Sequence, residues 1–375
     1  MLPLLALAIL VAQPAAASSV PAPHPAQASR WPTKEAEVVL KDFRFRSGET
    51  LPEVRMRYTT LGSPHRDRDG VIDNAVMVLH GTGGSGKQFL RPQFADELYG
   101  PGQPLDIRKY WIILPDNIGH GGSSKPSDGM RMRFPRYDYD DMVEAQHRML
   151  TEGLGVSRLR LIMGTSMGCM QAFVWGETYP TFARALMPLA CMPVEIAGLN
   201  RMWRQMLIDV IEADPAWLYG NYRTQPRQGL RAAQSILVIA GGAPLYLQNS
   251  YPTRDAASAY AQEAVANGIK DLDANDMIYQ FDSSRNYNPW PKLESITAPV
   301  MWVNSADDFI NPRNLPFPPQ AVKRMKNARF RLIPETAETR GHGTHSWAKF
   351  WKADLISLLA RSEPGAGRKP KHGSR

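Results

Sequence analysis

The feature that most constrains this chain is a short apolar run that leads into Gly-x-Ser-x-Gly and then into a helix-forming stretch. The apolar run covers 159–163, the motif has Ser166 at its centre, and the helical pattern covers 167–178. Glycines on both sides of the serine allow a tight strand-to-helix turn, which holds the hydroxyl at the carboxyl edge of a sheet. A purely structural serine in a glycine-rich turn is the competing interpretation. The flanking strand and helix favour a nucleophile.

A nucleophilic serine also requires a carboxylate partner. A serine hydroxyl attacks a carbonyl only when a base takes its proton and a carboxylate orients that base. In this context the partners follow the serine in the order Asp, then His. The predicted strand 300–303 leads to two adjacent acids, Asp307 and Asp308. We prefer Asp308 because it lies four residues before Pro312, as in the usual Asp-x-x-x-Pro pattern, and Asp307 is the alternative.

The base is expected among the eight histidines of the chain. His342 and His345 both follow the last predicted strand, 330–333, and precede the last predicted helix, 346–359. A Gly-His pair commonly begins this loop, so His342 is the preferred base. His345 is the alternative base, and otherwise it begins the helix or supports His342.

Two backbone N–H groups are expected to stabilise the oxyanion. They belong to Met167, directly after the serine, and Thr82, in the loop after the predicted strand 75–79. The segment 81–87 lacks the spacing and the Gly-Lys-Ser/Thr ending of a phosphate-binding loop. No cluster of His, Cys, Asp and Glu has metal-ligand spacing. We therefore expect no cofactor and no metal, and a small-molecule acyl compound as substrate.

Short apolar runs alternate with helical patterns along much of the chain. This alternation predicts an α/β fold with a parallel sheet covered by helices on both faces. Predicted strands at 37–45 and 54–61 form an antiparallel opening pair. The alternation stops between Cys191 and Pro299. Together with the elbow and the order of its partners, the pattern predicts the α/β-hydrolase fold, with a mostly parallel sheet flanked by helices.

The interrupted region is interpreted as an inserted helical cap. Helices are predicted at 200–213 and 255–274, with several aromatic residues between them. A homodimer through the cap is a further expectation. The predicted organisation is a core in two parts, 35–195 and 291–362, with the cap at 196–290.

The N-terminus has the pattern of a secretory signal peptide at 1–17. An almost wholly apolar run from Leu2 to Ala12 precedes small residues suited to cleavage, although no Lys or Arg precedes the run. This predicts a periplasmic or secreted protein, and a disordered alanine-rich leader is the alternative. Residues 18–34 are a predicted flexible lead-in. No other segment has the length and apolarity of a membrane span, so stable membrane insertion is not expected.

The formal net charge of +8 is spread along the chain, apart from the C-terminus. There, 363–375 is a predicted disordered basic tail that carries four Lys and Arg residues against one Glu. The remaining charge forms no basic run and accompanies no nucleic-acid motif, so a solvated surface is the simplest interpretation. We expect no nucleic-acid partner.

The two cysteines are Cys169 and Cys191. An exported protein could join them in a disulfide. Because cysteine is so often simply buried, we prefer two free, partly buried thiols.

The segment 164–175 reads Gly-Thr-Ser-Met-Gly-Cys-Met-Gln-Ala-Phe-Val-Trp. It resembles the nucleophile elbow of the homoserine O-acetyltransferases and their relatives, which typically reads Gly-Gly-Ser-Met-Gly-Gly-Met-Gln-Ala. Phe-Pro at 134–135 with Asp-Met-Val-Glu-Ala-Gln at 141–146, and Ala-Asp-Pro-Ala-Trp at 213–217, are similar to further segments of that family. The resemblance covers nearly the whole chain after Lys34 and implies the triad Ser166, Asp308 and His342.

Three positions depart from the family pattern. The family holds a substrate carboxylate with a cap arginine, whose position here falls near Ile208, with Arg204 one helical turn earlier. Cys169 replaces the second glycine of the elbow. The loop His-Gly-Thr-Gly-Gly at 80–84 is closer to ordinary esterases than to the family's His-Ala-Leu-Thr-Gly.

These departures, together with predicted export, favour hydrolysis over transfer. An exported protein has no obvious supply of acetyl-CoA, whereas water is abundant and resolves the same acyl-enzyme. The expected function is therefore an exported serine hydrolase that cleaves an ester or related acyl compound through Ser166. The alternative is a CoA-dependent O-acyltransferase of the homoserine O-acetyltransferase type. A non-catalytic binding protein is the second alternative, disfavoured because no triad member is missing.

Overall fold

The computed structural model describes residues 30–363. The predicted signal peptide, most of the predicted lead-in and nearly all of the predicted basic tail lie outside the described residues. Within them, eight strands form one sheet. In chain order the strands are β1 (Lys34–Arg44), β2 (Thr50–Leu61), β3 (Ala75–Leu79), β4 (Trp111–Pro115), β5 (Leu161–Thr165), β6 (Leu186–Leu189), β7 (Val300–Ser305) and β8 (Ala328–Ile333).

The sheet is mostly parallel, as predicted. Its strand order is β1-β2-β4-β3-β5-β6-β7-β8. The pairs β1–β2 and β2–β4 are antiparallel, and every pair from β4 to β8 is parallel. Because parallel strands end at one edge, the loops after β3, β5 and β7 meet there. This edge brings distant parts of the sequence together.

Helices cover both faces of the sheet, which explains why the central strands are apolar throughout. The helices of the core are α1 (Pro92–Leu98), α2 (Tyr139–Arg148), α3 (Met167–Thr178), α9 (Phe317–Arg324) and α10 (Lys352–Arg361). Alternate residues of β3 point to opposite faces. Met77 belongs to the cluster that contains α2 and α3, whereas Val78 belongs to the cluster that contains α1 and α10. The α/β-hydrolase architecture is thereby confirmed.

The helices between β6 and β7 have an apolar core of their own, built around Trp203, Leu207, Leu230 and Phe281. They are α4 (Gly198–Glu212), α5 (Arg227–Ala240), α6 (Pro244–Ser250), α7 (Arg254–Gly268) and α8 (Ala274–Asp282). In the described part of the chain, no single helix is long and apolar enough to span a membrane. Only α5 and α6 together reach that length and composition, and they are bent by 103°.

Two predicted helices end or begin elsewhere in the structure. The predicted helix 255–274 ends at Gly268, as α7, and Asp273 accepts from the amides of Asn275 and Asp276 and so caps a new helix, α8. Helix α2 is α-helical to Arg148 and continues as a π-helical turn. The predicted helix 346–359 begins at Lys352, because Trp347 has the non-helical angles φ −103° and ψ 89°. Short 3-10 turns precede it.

Candidate active site

Ser166 lies at the sharp turn between β5 and α3. Its backbone has φ 54° and ψ −112°, a conformation that non-glycine residues rarely adopt. The Ser166 amide donates to the Leu189 carbonyl of β6 at 2.8 Å, which fixes the turn to the neighbouring strand. The hydroxyl is therefore held above the carboxyl edge of the sheet.

Close packing explains both glycines of the motif. A Cβ on Gly164 would overlap the carbonyl oxygen of Gly168, because α3 starts directly over the end of β5. A Cβ on Gly168 would overlap the carbonyl oxygen of Leu79 in β3. The turn can therefore approach both strands this closely only with glycine at the two positions.

The structure brings together Ser166, His342 and Asp308, which lie far apart in the sequence. The Ser166 Oγ lies 2.8 Å from His342 Nε2, and the Asp308 Oδ2 lies 2.9 Å from His342 Nδ1. Because a carboxylate only accepts, Nδ1 carries a hydrogen and Nε2 is free to accept the serine proton. The arrangement is that of a nucleophile, a general base and an orienting acid.

Asp308 is only 2% exposed, yet its carboxylate accepts several hydrogen bonds from the protein. Oδ1 accepts from the amides of Ile310 at 2.8 Å and Asn311 at 3.2 Å, and Oδ2 accepts from Asn311 Nδ2 at 2.9 Å. Burial alone would raise its pKa, but the charge and hydrogen bond of His342 and the donors of Asn311 and Ile310 hold the pKa below its ordinary value. Asp308 is thus kept ionised beside the histidine.

The alternative acid, Asp307, and the alternative base, His345, contact other groups. Asp307 accepts from the Gly341 amide at 2.9 Å and from the Ser305 hydroxyl, so it fixes the loop that carries the histidine. The His345 ring lies 5.3 Å from that of His342, and its Nδ1 lies 3.2 Å from the Ser346 hydroxyl. Burial and the nearby His342 lower the pKa of His345 to about 3. Neither side chain contacts Ser166 in the geometry described here.

The expected oxyanion donors lie on either side of Ser166. Met167 is the first residue of α3, so its amide has no acceptor within the helix. Thr82 follows Gly81, where an added Cβ would lie 3.3 Å from the Ser166 Cβ and 3.9 Å from its Oγ. Both amides therefore belong to backbone that adjoins the nucleophile.

His80 holds the loop that carries Thr82. Its Nε2 accepts from the Asn117 amide at 3.0 Å, so Nδ1 carries the hydrogen and donates to the Gly81 carbonyl at 2.8 Å. Burial lowers the pKa of His80 and therefore keeps the ring neutral. This hydrogen bond fixes the orientation of the Gly81 carbonyl, directly before Thr82.

A chain of buried amides continues from His80 to the nucleophile helix. Gln146 of α2 donates to Asn117 and, at 2.8 Å, to Gln171 of α3, and it accepts from the Trp175 indole at 2.6 Å. The side chains of these four residues are buried. The oxyanion loop, α2 and α3 are therefore joined by one hydrogen-bond network, which limits their relative movement.

Arg204 of α4 lies on the cap side of the site and is only 2% exposed. It donates to Asn200 Oδ1 at 2.9 Å and to the Ser284 hydroxyl at 3.3 Å, and its guanidinium lies 4.8 Å from the Trp203 ring centre. Among the described residues it has no carboxylate partner. Burial lowers its pKa, which the adjacent Tyr139 partly offsets.

Tyr139 connects Arg204 to the oxyanion loop. Burial raises the pKa of Tyr139, while the neighbouring side chains of Arg204, Ser284 and Thr82 act in the opposite direction. In the described residues, the buried hydroxyls of Tyr139 and Thr82 have no hydrogen-bond partner of good geometry. Neither Tyr139 nor Ser284 could be predicted as a site residue, because neither belongs to a recognisable motif.

The expectation of free thiols was wrong, because Cys169 and Cys191 form a disulfide. Cys169 lies in the first turn of α3, and Cys191 follows β6. The adjacent pairing of β5 and β6 places the two Cα atoms 5.9 Å apart, a separation that suits a disulfide. The bond joins the nucleophile helix to the segment that leads into the cap.

No group of three or more His, Cys, Asp and Glu residues within 30–363 is arranged to hold a metal ion. The polar side chains at the site are those of an acyl-transfer centre, namely a nucleophile, a base, an acid and a nearby cation. This arrangement can form and break an acyl-serine ester without further groups.

Comparison with known proteins agrees with this geometry. Residues 74–339 match the family described as the alpha/beta hydrolase fold. A probable acyltransferase from Methanothermobacter thermautotrophicus is 30% identical over 283 residues, covering 75% of this chain and 85% of that protein.

Two solved structures share the fold at low sequence identity. The homoserine O-acetyltransferase from Bacillus anthracis has a TM-score of 0.77 at 21% identity, covering 88% of this chain and 98% of that one. Esterase E22 has a TM-score of 0.75 at 18% identity, covering 87% and 100%. The predicted similarity to the homoserine O-acetyltransferases is confirmed in sequence, since the enzyme of that name from Geotalea daltonii is 33% identical over 213 residues, covering 52% of this chain and 56% of that protein. The chain therefore belongs to the α/β-hydrolase-fold family of enzymes.

Proposed function

We propose that this protein is an O-acyltransferase that moves an acyl group from an activated donor to the hydroxyl of a small, carboxylate-bearing acceptor. In the first step Ser166 attacks the donor carbonyl while His342 takes its proton, and His342 then gives this proton to the leaving group of the donor as the acyl-serine forms. In the second step His342 takes the proton of the acceptor hydroxyl, which attacks the acyl-serine and frees Ser166. Asp308 orients His342, and the amides of Met167 and Thr82 stabilise both oxyanions.

The observation that carries this proposal is the unpaired cation at Arg204. A buried guanidinium without a counter-ion is costly, since charged groups inside proteins are normally paired. Asn200, Ser284 and the rings of Trp203 and Phe281 contact it, but none of them carries a negative charge. A carboxylate on the acceptor would supply the missing partner next to Tyr139 and the oxyanion loop.

The position of Arg204 favours transfer over hydrolysis, whereas the sequence alone favoured hydrolysis. Hydrolysis was preferred partly because Ile208 stands where the related transferases have an arginine. Ile208 packs in the apolar core of the cap, whereas Arg204, one turn earlier, faces Tyr139. The relative from Methanothermobacter thermautotrophicus is described as a probable acyltransferase, which also supports transfer.

Hydrolysis is the second candidate, and one observation favours it. The disulfide between Cys169 and Cys191 is typical of proteins in oxidising compartments. Together with the apolar leader at 2–12, it supports the proposal that the mature chain is periplasmic or secreted. Water would then compete with any acceptor for the acyl-enzyme.

The test is acyl transfer from acetyl-CoA to homoserine by the purified protein, followed through CoA release and product mass. We expect CoA release to depend on homoserine. Arg204→Gln should raise the KM for homoserine roughly ten- to a hundredfold, because a charge-assisted bidentate contact contributes about 1.5–3 kcal/mol. Hydrolysis of p-nitrophenyl acetate, which has no carboxylate, should change little.

Two control variants make the result interpretable. Arg201→Gln changes another arginine of α4 and should leave the KM for homoserine nearly unchanged. Arg204→Lys retains the charge but not the paired donors, and should give an intermediate KM. CoA release that is independent of homoserine, together with rapid ester cleavage in buffer, would favour the hydrolase instead.

A further inference from the structure

The end of strand β6 contacts the segments that carry both the nucleophile and the acid. Strand β6 lies between β5, which leads to Ser166, and β7, which leads to Asp308. The Leu189 carbonyl accepts from the Ser166 amide at 2.8 Å. The next carbonyl, that of Ala190, accepts from Asn311 Nδ2 at 3.1 Å. The turn of the serine and the loop of the acid are therefore hydrogen-bonded to consecutive carbonyls of one strand end.

This strand end is held in place on two sides. Ala190 has φ 66°, a value that is common for glycine and rare for other residues. Its amide donates to the Val303 carbonyl of β7 at 2.9 Å. Cys191, the next residue, is joined to α3 by the disulfide with Cys169, and its amide and carbonyl both bond to the Asn304 side chain. Because α3 and β7 both hold this segment, the Ala190 carbonyl has a fixed direction.

Asn311 connects this strand end to the catalytic acid. Its side-chain Nδ2 donates one hydrogen to the Ala190 carbonyl at 3.1 Å and the other to Asp308 Oδ2 at 2.9 Å. A carboxamide nitrogen carries two hydrogens, so both are used. The opposite orientation of the carboxamide would place its oxygen against a carbonyl and a carboxylate, which only accept. Asn311 is only 2% exposed, so the two bonds are shielded from bulk water.

The oxygen of Asp308 that accepts from the Asn311 side chain is also the oxygen that orients the base. Oδ2 lies 2.9 Å from Asn311 Nδ2 and 2.9 Å from His342 Nδ1. The other oxygen, Oδ1, accepts from the backbone amides of Ile310 and Asn311. A substitution at position 311 therefore leaves the backbone contacts to Oδ1 in place and removes the side-chain contact to Oδ2. The carboxylate would then be free to rotate away from the imidazole.

We propose that Asn311 is a positioning residue of the triad, which holds the Asp308 carboxylate against the strand end that also fixes Ser166. This inference rests on the acyl-serine chemistry of the proposed function, and it applies whether the acyl group passes to a hydroxyl or to water. Asn311 acts through Asp308, by keeping Oδ2 aligned with the imidazole during both acylation and deacylation. It exchanges no proton in either step.

Asn311→Ala removes both side-chain hydrogen bonds and tests this role. With p-nitrophenyl acetate, kcat should fall roughly ten- to a hundredfold, as expected when a hydrogen bond to a charged group is lost. The KM should change less than about threefold, because acylation and deacylation use the same histidine and slow together. Asn311→Val, which fills the space without a donor, guards against a cavity effect and should be similarly impaired.

Asn304→Ala is the matched control. Asn304 is as buried as Asn311, and its side chain bonds to Cys191 and Trp302 and not to Asp308. Its loss should lower the Tm by a comparable amount. Because the disulfide still holds Cys191, kcat should fall less than about threefold.

The proton between Asp308 and His342 gives a second measurement, which a purely structural role of Asn311 would not affect. In the ¹H NMR spectrum of the wild type we expect its resonance at lower field than those of ordinary amide protons, because its acceptor is a carboxylate. Asn311→Ala should move this resonance, since Oδ2 then has one donor fewer. Asn304→Ala should leave it in place.

The possible outcomes separate this inference from the proposed function. Equal kcat in the two alanine variants, or an unmoved proton resonance in Asn311→Ala, would overturn the inference. A wild type that neither cleaves p-nitrophenyl acetate nor reacts with a fluorophosphonate would overturn the acyl-serine chemistry itself. Homoserine-independent CoA release by an active wild type would contradict transfer and leave the role of Asn311 intact.

Discussion

Asp307 and Asp308 are adjacent, yet only Asp308 contacts His342, at 2.9 Å. The carboxylate of Asp307 accepts from the Gly341 amide at 2.9 Å. One acid therefore orients the imidazole and its neighbour fixes the loop that carries the imidazole. Their substitutions should have very different consequences.

We expect Asp308→Asn to reduce kcat roughly ten-thousandfold, because an amide no longer holds the His342 tautomer that accepts the serine proton. Asp307→Asn is the matched control. It retains an oxygen that can accept from Gly341, so kcat should fall less than about tenfold. Steady-state kinetics on p-nitrophenyl acetate measure both variants.

His342→Ala and His345→Ala form the second matched pair. The first removes the base, whereas the second removes a neutral ring that does not contact Ser166. We expect near-complete loss of kcat in the first and substantial activity in the second. The reverse order in either pair would mean that the wrong neighbour is assigned.

Much of the site could be predicted because its members follow strand ends. Ser166 comes directly after β5 and Asp308 comes three residues after the end of β7, and parallel strands bring their carboxyl ends together. The direction of Arg204 could not be predicted, since one helical turn in the cap decides whether a side chain faces the site. The cysteine pair was also missed, because its formation depends on how α3 starts over β5. The homodimer through the cap stays a prediction.

The disulfide should stabilise the region around the nucleophile. It closes a loop with a sequence separation of 22 residues, and a cross-link of that size contributes about 3 kcal/mol in the chain-entropy account. Cys169→Ser/Cys191→Ser should therefore unfold several degrees below the wild type, as measured by calorimetry. Reductant should lower the Tm of the wild type but not of the double variant. Two free thiols in the untreated protein would contradict the pairing.

Glu177, near the end of α3, should make stability depend on pH. Burial raises its pKa to about 7, from an ordinary value of 4.5. Between these values the folded state binds a proton that the unfolded state lacks, so this group's contribution to stability falls as pH rises from 4.5 to 7. Glu177→Gln removes the titration. We expect the variant to gain free energy of unfolding over wild type at pH 8 and to lose most of that gain at pH 5.

Urea unfolding at the two pH values measures this difference directly. Lys292→Gln is a useful comparison, because Lys292 acts to lower the pKa of Glu177 and its removal should enlarge the pH dependence. A gain for Glu177→Gln that is the same at pH 5 and pH 8 would mean that this carboxyl titrates normally.

The proposed mechanism requires an acyl-enzyme at Ser166, which mass spectrometry can detect after a rapid acid quench. The protein is mixed with p-nitrophenyl acetate or acetyl-CoA, digested, and the peptide that contains Ser166 is weighed. We predict that this peptide gains one acetyl group with at least one of the two donors. A Ser166→Ala variant with the same Tm as the wild type should gain none, and its turnover should be roughly 10⁴- to 10⁶-fold lower. Acetylation at another residue, or substantial turnover by the folded Ser166→Ala variant, would contradict it.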